Sequence, residues 1–294
     1  MTSKRQVTID GVNLLLSPEF EKSPLWIGME LPKRQLRASW LKLAEEDFPM
    51  NPRIVGKPGV GKTTLALHVA FQNNRPVYLM QGTSDTRPED LIITPVINES
   101  KSIAYVASPL VSAMIVGGTC ILDEGNRMSE KSWASLAALL DTRRYVDSIT
   151  AGVRIHAHPE FRFVTTMNDD SSVYDLPEYI QSRLCPQILI DFPDSVSESQ
   201  ILADSCPYAD KDLLRSLVGF LSLSHQRDES YSVRDAIQIA KYASRLCVDN
   251  SQTTPAVALR EAIRSIVGPE ALTLLPEDPN SGPKGVLRRV PRPV

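Results

Sequence analysis

Five short apolar runs recur in the first two-thirds of the chain: "PRIVG" (52–56), "PVYLM" (76–80), "TCILD" (119–123), "FRFVTTMN" (161–168) and "PQILIDF" (186–192). Most of the intervals between them carry apolar residues at helical spacing. Alternation of this kind predicts an α/β fold, a parallel sheet flanked by helices. In such sheets ligands bind at the carboxyl ends of the strands. Residues 56–63, Asp123, Glu124 and Asn168 all follow strands and are therefore candidates for the site.

Past Pro193 the period changes. "SESQILADSC", "KDLLRSLVGFLSLS", "SVRDAIQIAKYASRLCV" and "AVALREAIRSIVG" place apolar residues at helical spacing, with no strand pattern. The chain is thus expected to divide into a core over 1–193, a small helical domain over 194–276, and a tail over 277–294. That tail is rich in Pro, Gly and basic residues and is predicted to form no packed core. No internal repeat is present.

Two stretches inside the core need separate treatment. Residues 103–122, "IAYVASPLVSAMIVGGTCIL", carry no charge and approach the length of a membrane span. Pro109 and the Gly117-Gly118 pair divide the run, so it reads as a short helix from Ser108 to Val116 handing over to the strand "TCIL", and no membrane association is expected. Between Leu140 and Phe161, Tyr145 to Ile149 and Val153 to Ala157 alternate around Thr150-Ala151-Gly152. This predicts a β-hairpin insert at about 141–160.

At 294 residues and 42% hydrophobic content the chain can bury one large core, or one core and a smaller companion. A net charge of −3 gives no global attraction to nucleic acid or anionic membrane. Cys120, Cys185, Cys206 and Cys247 are widely spaced without a C-x-x-C pattern, as expected for reduced cysteines. "MTSKRQVTIDG" lacks the apolar segment of a signal peptide, and the expected location is cytoplasmic.

Candidate chemistry begins with "CILDEGNRM" (120–128), where Asp123 and Glu124 stand side by side at a strand end. Adjacent carboxylates repel, and either solvent or a cation must compensate them. The upstream stretch "RIVGKPGVGKTTLALHVA" (53–70) decides between these. It sets Gly56, Lys57, Pro58, Gly59, Val60, Gly61, Lys62 and Thr63 between a strand and a helical pattern, the context of a phosphate-binding loop, with Thr64 following in the helix. Glycines let backbone N–H groups converge on phosphate oxygens, and the helix N-terminus faces the same anion. Lys62 would neutralise the β- and γ-phosphates, and Thr63 would offer a hydroxyl to Mg2+. Asp123 would then hold Mg2+ through water, and Glu124 would polarise the attacking water. The pair therefore points to nucleotide hydrolysis with Mg2+, and ATP is the expected nucleotide. No N-K-x-D guanine-reading motif is present.

With these motifs in order, the chain resembles the AAA+ ATPases and, among them, the MoxR-like group. "TSDTRPEDLI" (83–92), "SPLVSAMIVGGTCILDEGNRM" (108–128), "FVTTMND" (163–169), "LPEYIQSRL" (176–184) and "SVRDA" (232–236) carry the likeness, which covers roughly residues 25 to 270. The resemblance implies that Asn168 is the sensor-1 residue and Arg183 the arginine finger. Arg234 is implied as the sensor-2 residue on a helical lid formed by 194–276. It also implies a homo-oligomeric, hexameric ring that remodels or activates a protein client, with a von Willebrand factor A-domain protein as partner and metalloenzyme maturation as one variant. The hairpin would face the pore or the client, with Ile149 and Val153 as contacts. A nucleic-acid motor or restriction-type NTPase is the rival. The net charge opposes it, and tail residues Lys284, Arg288, Arg289 and Arg292 leave it open.

Two positions depart from the group. Lys57 stands where Pro is frequent, and Gly125 where an aliphatic residue is common; neither removes a catalytic group. Leu-Cys-Pro after Arg183 leaves Arg143 and Arg144 as other finger candidates. His156 and His158 are read as exposed residues sharing one face of the second hairpin strand. Trp26, Trp40 and Trp133 are read as packing residues.

Overall fold

The computed structural model describes residues 5–97, 101–169 and 176–276, in two compact units that meet between Pro193 and Asp194. The first unit begins with β1 (Gln6–Ile9), β2 (Val12–Leu15), α1 (Glu30–Ser39), β3 (Arg53–Gly56), α2 (Lys62–Phe71), β4 (Val77–Gln81), α3 (Pro88–Leu91), β5 (Ile93–Ile97), β6 (Ile103–Ala107) and α4 (Pro109–Val116). It continues through β7 (Thr119–Asp123), a 3-10 turn at Gly125–Arg127, α5 (Glu130–Ser135), β8 (Tyr145–Ser148), β9 (Val153–His156), β10 (Arg162–Asn168), α6 (Glu178–Gln181) and β11 (Gln187–Leu189).

The central sheet runs β11-β3-β10-β7-β4 with every pairing parallel. Ile121 and Val164 are buried on one face and Cys120 and Phe163 on the other, as a sheet covered on both faces requires. The register sets Asn168 beside Gly56 and Asp123 beside Gln81. The catalytic candidates of three neighbouring strands therefore emerge at one edge.

The uncharged run 103–122 resolves into β6, α4 and β7. Ser108 caps α4 by accepting from the Val111 N–H, Pro109 occupies the first turn, and Gly117 ends the helix at φ 71°. That left-handed conformation is readily open only to glycine. Among the described residues no helix is long and apolar enough to cross a membrane.

A second sheet, of order β1-β2-β6-β5, was not anticipated from the sequence. β1 and β2 form a hairpin around Asp10 and Gly11, both at positive φ, and β6 joins β2 in parallel. Its strands are four or five residues long, and the Ile103–Ala107 strand is hidden within a longer apolar stretch.

The hairpin β8–β9 pairs Tyr145 with His156 and Ser148 with Val153. Val146, Val153 and Ile155 point into the core, whereas Asp147 and Arg154 form an ion pair at 2.7 Å on the outer face. At the tip Ile149 is 96% exposed, and Thr150 anchors the loop by donating to the Ile93 carbonyl at 3.2 Å. The reading of Val153 as a contact beside the tip is therefore corrected. The period-2 alternation that turns Ile155 inward does the same to Val153.

His158 is also corrected, because β9 ends at His156. His158 instead lies beyond the strand, its N–H donating to the Met114 carbonyl and its ring set against Gly117. Trp40 and Trp133 are buried, donating to the Phe163 and Gly125 carbonyls.

The second unit contains α7 (Ser195–Ser205), α8 (Lys211–Gln226), α9 (Val233–Asp249), α10 (Pro255–Ile266) and a 3-10 turn at Pro269–Leu274. Side-chain oxygens of Asp194, Asp210 and Thr254 cap α7, α8 and α10, and Ser232 with Asp235 forms a capping box on α9. Leu202, Leu217, Phe220, Ile239 and Ile263 form its core. The basic tail residues lie outside the described residues.

Candidate active site

The loop joining β3 to α2 follows the backbone of β11 closely. A Cβ on Gly56 would stand 2.2 Å from the Ile190 carbonyl oxygen, so only glycine fits there. Gly59 and Gly61 take φ of 80° and 100°. Inside the loop the Lys62 ammonium donates to the carbonyls of Gly56 at 2.8 Å and Lys57 at 2.7 Å, and the residue is only 7% exposed. A buried ammonium in a glycine-rich loop at a helix N-terminus makes a compact anion site. Val60 is buried, Pro58 is exposed, and Thr64 continues the first turn of α2. Lys57 turns outward, its ammonium 5.2 Å from the centre of the Phe192 ring.

Asp123 and Glu124 diverge, which relieves their repulsion. Asp123 Oδ1 accepts hydrogen bonds from the hydroxyls of Thr63 and Thr166, each at 2.5 Å. Carboxylate and hydroxyl oxygens converging beside the phosphate loop are the donor set of a hard divalent cation, so the residues fit Mg2+. Glu124 takes a left-handed backbone, φ 53°, that turns its side chain away from Asp123's partners. Its N–H donates to Thr166 Oγ1 at 3.0 Å, and its Oε2 accepts from Gln81 Nε2 and Arg127 Nε, both at 2.8 Å.

Asn168 ends β10, buried, directly beside Gly56. Asn126 clamps it: Asn126 Nδ2 donates to the Asn168 carbonyl at 2.8 Å, and the Asn168 N–H donates back to Asn126 Oδ1 at 3.4 Å. The neighbouring Gly125 also has a physical reason. A Cβ there would lie 2.3 Å from Thr165 Oγ1 and 2.9 Å from the Trp133 ring, which fills the space an aliphatic side chain would need.

Arg183 stands apart from this cluster, after α6. Its Nε and Nη2 each lie 3.4 Å from Asp141 Oδ2, and its Nη1 donates to the Tyr179 carbonyl. Arg143 holds the same carboxylate at 2.8 Å. These guanidiniums keep the Asp141 carboxyl down at about 2. Arg144 is buried, donates to the His158 and Phe161 carbonyls and stacks on Phe48, so it cannot reach outward as a finger. Arg234 is exposed in the first turn of α9, within the second unit.

Sequence reasoning missed Gln81, Thr166, Asn126, Arg127 and Asp141. Gln81 and Thr166 each end or nearly end a strand beside a candidate residue, and that position was the available signal. The contacts of Asn126 with Asn168 and of Asp141 with Arg183 span 42 residues and carry no local signal.

A family model described as an AAA domain of the dynein-related subfamily matches residues 53–184. The chain is 26% identical over 246 residues to the gas vesicle ATPase GvpN of Ancylobacter aquaticus, covering 76% of this chain and 68% of that one. It is 26% identical over 222 residues to von Willebrand factor A domain-containing protein 8 of Mus musculus, covering 68% of this chain and 12% of that much longer one. Among solved structures the Thermotoga maritima RuvB Holliday junction branch migration motor superposes with a TM-score of 0.56 at 16% identity, over 83% of this chain and 72% of that one. This last likeness concerns the fold.

Proposed function

We propose that the chain, which a dynein-related AAA family model matches over residues 53–184 and which is 26% identical to a gas vesicle ATPase, is a MoxR-like AAA+ ATPase that couples ATP hydrolysis to remodelling or activation of a protein client, as a homo-oligomeric ring in the cytoplasm. The observation that carries the hydrolytic part is the convergence of Lys62, Thr63, Asp123, Glu124 and Asn168 at the ends of adjacent parallel strands. Lys62 and the loop N–H groups hold the β- and γ-phosphates. Thr63 and Asp123 would hold Mg2+, which would neutralise phosphate charge. Glu124, once free of Gln81 and Arg127, takes the proton of the attacking water, and Asn168 orients that water against the γ-phosphate. Arg183 acts on a neighbouring copy's nucleotide, stabilising charge that develops in the transition state.

The client reading is supported by the hairpin tip, where a large apolar side chain stands 96% exposed on an anchored loop. A von Willebrand factor A-domain protein is the partner class we favour, because one relative carries that domain in its name. Glu124→Gln, loaded with ATP, tests the reading by holding the client-bound state. Enrichment of a protein that depends on ATP and on Ile149 supports remodelling. Enrichment of nucleic acid instead would replace it with the motor reading.

A further inference from the structure

Asp141 joins two arginines from distant parts of the chain. Arg143 contributes its Nε at 3.0 Å to Oδ1 and its Nη2 at 2.8 Å to Oδ2, and Arg183 contributes Nε and Nη2 at 3.4 Å to Oδ2. One carboxylate balances one of the two guanidiniums, so the group carries a surplus positive charge. Both arginines keep solvent access, at 54% and 29% of the side chain. Exposed ion pairs contribute little to stability, so folding alone gives weak grounds for setting like charges together. Their placement is nonetheless fixed. The turn at 141–144 is locked by Arg144, whose N–H donates to the Asp141 carbonyl and whose side chain is buried. The Arg183 backbone is locked by its bond to Ile180, itself wholly buried.

We propose that Asp141 is a positioning residue that presents Arg183 and Arg143 together as a two-cation clamp for the phosphates of a nucleotide bound to a neighbouring copy. This rests on the reading of Arg183 as a finger acting in trans. Planar guanidiniums suit multidentate contact with phosphate oxygens. Shared attachment to one carboxylate removes rotamer freedom that would otherwise be lost when the transition state forms.

The experiment uses full chains carrying Arg183→Ala, Arg143→Ala, Asp141→Ala or Asp141→Glu, each alone and mixed with Lys62→Ala subunits. The latter lack a working nucleotide site and keep the arginines. Arg143→Ala and Asp141→Ala are expected to lower kcat at least ~10-fold with KM for ATP within about 2-fold of the unmodified chain, the pattern of a lost transition-state contact. Asp141→Glu should restore part of the loss. Mixing with Lys62→Ala should raise turnover above that of either parent, because an intact site then faces intact arginines; a subunit whose own site is distorted gains nothing from such a neighbour. Unchanged kcat in Arg143→Ala or Asp141→Ala, or loss without recovery on mixing, overturns the clamp. Unchanged kcat in Arg183→Ala would instead remove the trans finger on which the clamp depends.

Discussion

The side chain of Gln81 donates a 2.8 Å hydrogen bond to the same Glu124 oxygen that Arg127 holds at 2.8 Å. A carboxylate so engaged is withheld from water. A hydrogen bond of this kind contributes roughly 0.5–1.5 kcal/mol net, so removing it shifts the free fraction by about 2- to 13-fold. Gln81→Ala is expected to raise basal ATP turnover by that factor and to shrink stimulation by client correspondingly. Steady-state ATPase assays with and without client check this. A fall in basal kcat would show that Gln81 aims Glu124 rather than withholding it.

Lys62 and Glu124 should separate binding from chemistry. Lys62→Ala removes the buried ammonium from the phosphate loop and should weaken ATP binding by about 100-fold, whereas Glu124→Gln should keep affinity and lose ~100-fold or more in kcat. Titration with a fluorescent ATP analogue alongside single-turnover kinetics distinguishes them. Equal loss of affinity in both would remove the assigned roles.

Gly125 and Trp133 occupy one space between them. Gly125→Val puts methyl groups where the Trp133 ring and Thr165 Oγ1 already stand, and such overpacking costs about 1–3 kcal/mol. Trp133→Ala opens a cavity at a cost of about 3–5 kcal/mol. The double variant should lose less than the sum of the two, because each relieves the other. Urea denaturation of the four proteins measures the coupling, and strict additivity would contradict the shared space.

The helical unit carries a buried carboxyl with a calculable pH signature. Glu198 is 1% exposed, its Oε1 has no hydrogen-bond partner among the described residues, and His225 Nδ1 lies 3.8 Å away. Burial, and then the Asp194 charge, pushes its pKa from 4.5 up to about 7. Between those values the folded state holds a proton that the unfolded state releases, so the group's contribution to stability falls as pH rises through that window and levels off above it. Glu198→Gln removes the penalty and should raise Tm by a few degrees at pH 8, roughly the effect of ~1 kcal/mol. The gain should vanish near pH 4.5. Thermal melts across that range give the test, and a pH-independent difference would assign the effect to packing.

How much of this was legible follows from the range of the forces involved. The central core strands were readable because burial on both faces makes them near-continuous apolar runs, as in Thr119–Asp123. The phosphate loop and the acid pair were readable because each function there needs consecutive residues. The second sheet was not, since Gln6–Ile9 is half-exposed and Ile103–Ala107 merges with the apolar helix after it. Gln81 and Asn126 owe their partners, and Asp141 its bond to Arg183, to strand order and turn geometry rather than to neighbours in sequence. Val153 was legible and misread: it shares the inward parity of Ile155, and only Ile149, in the loop, escapes the pleat.

That difference between Ile149 and Val153 gives the last prediction. Ile149→Asp replaces a 96% exposed side chain, and surface changes of this kind usually stay within about 0.5 kcal/mol of neutral. Assembly and basal ATPase should therefore match the unmodified chain. Val153→Asp buries a carboxylate in the core and should unfold the hairpin, serving as the structural control. If the tip grips a client, Ile149→Asp should lower client affinity by roughly 10- to 30-fold, the range of a single interface anchor of about 2 kcal/mol. Client-stimulated ATPase should fall in parallel. Measuring basal turnover, oligomeric state and client pull-down on one preparation separates the outcomes. Full stimulation with Asp at 149 would leave the tip without a role, while joint loss of assembly and basal activity would make the hairpin a structural brace for the ring.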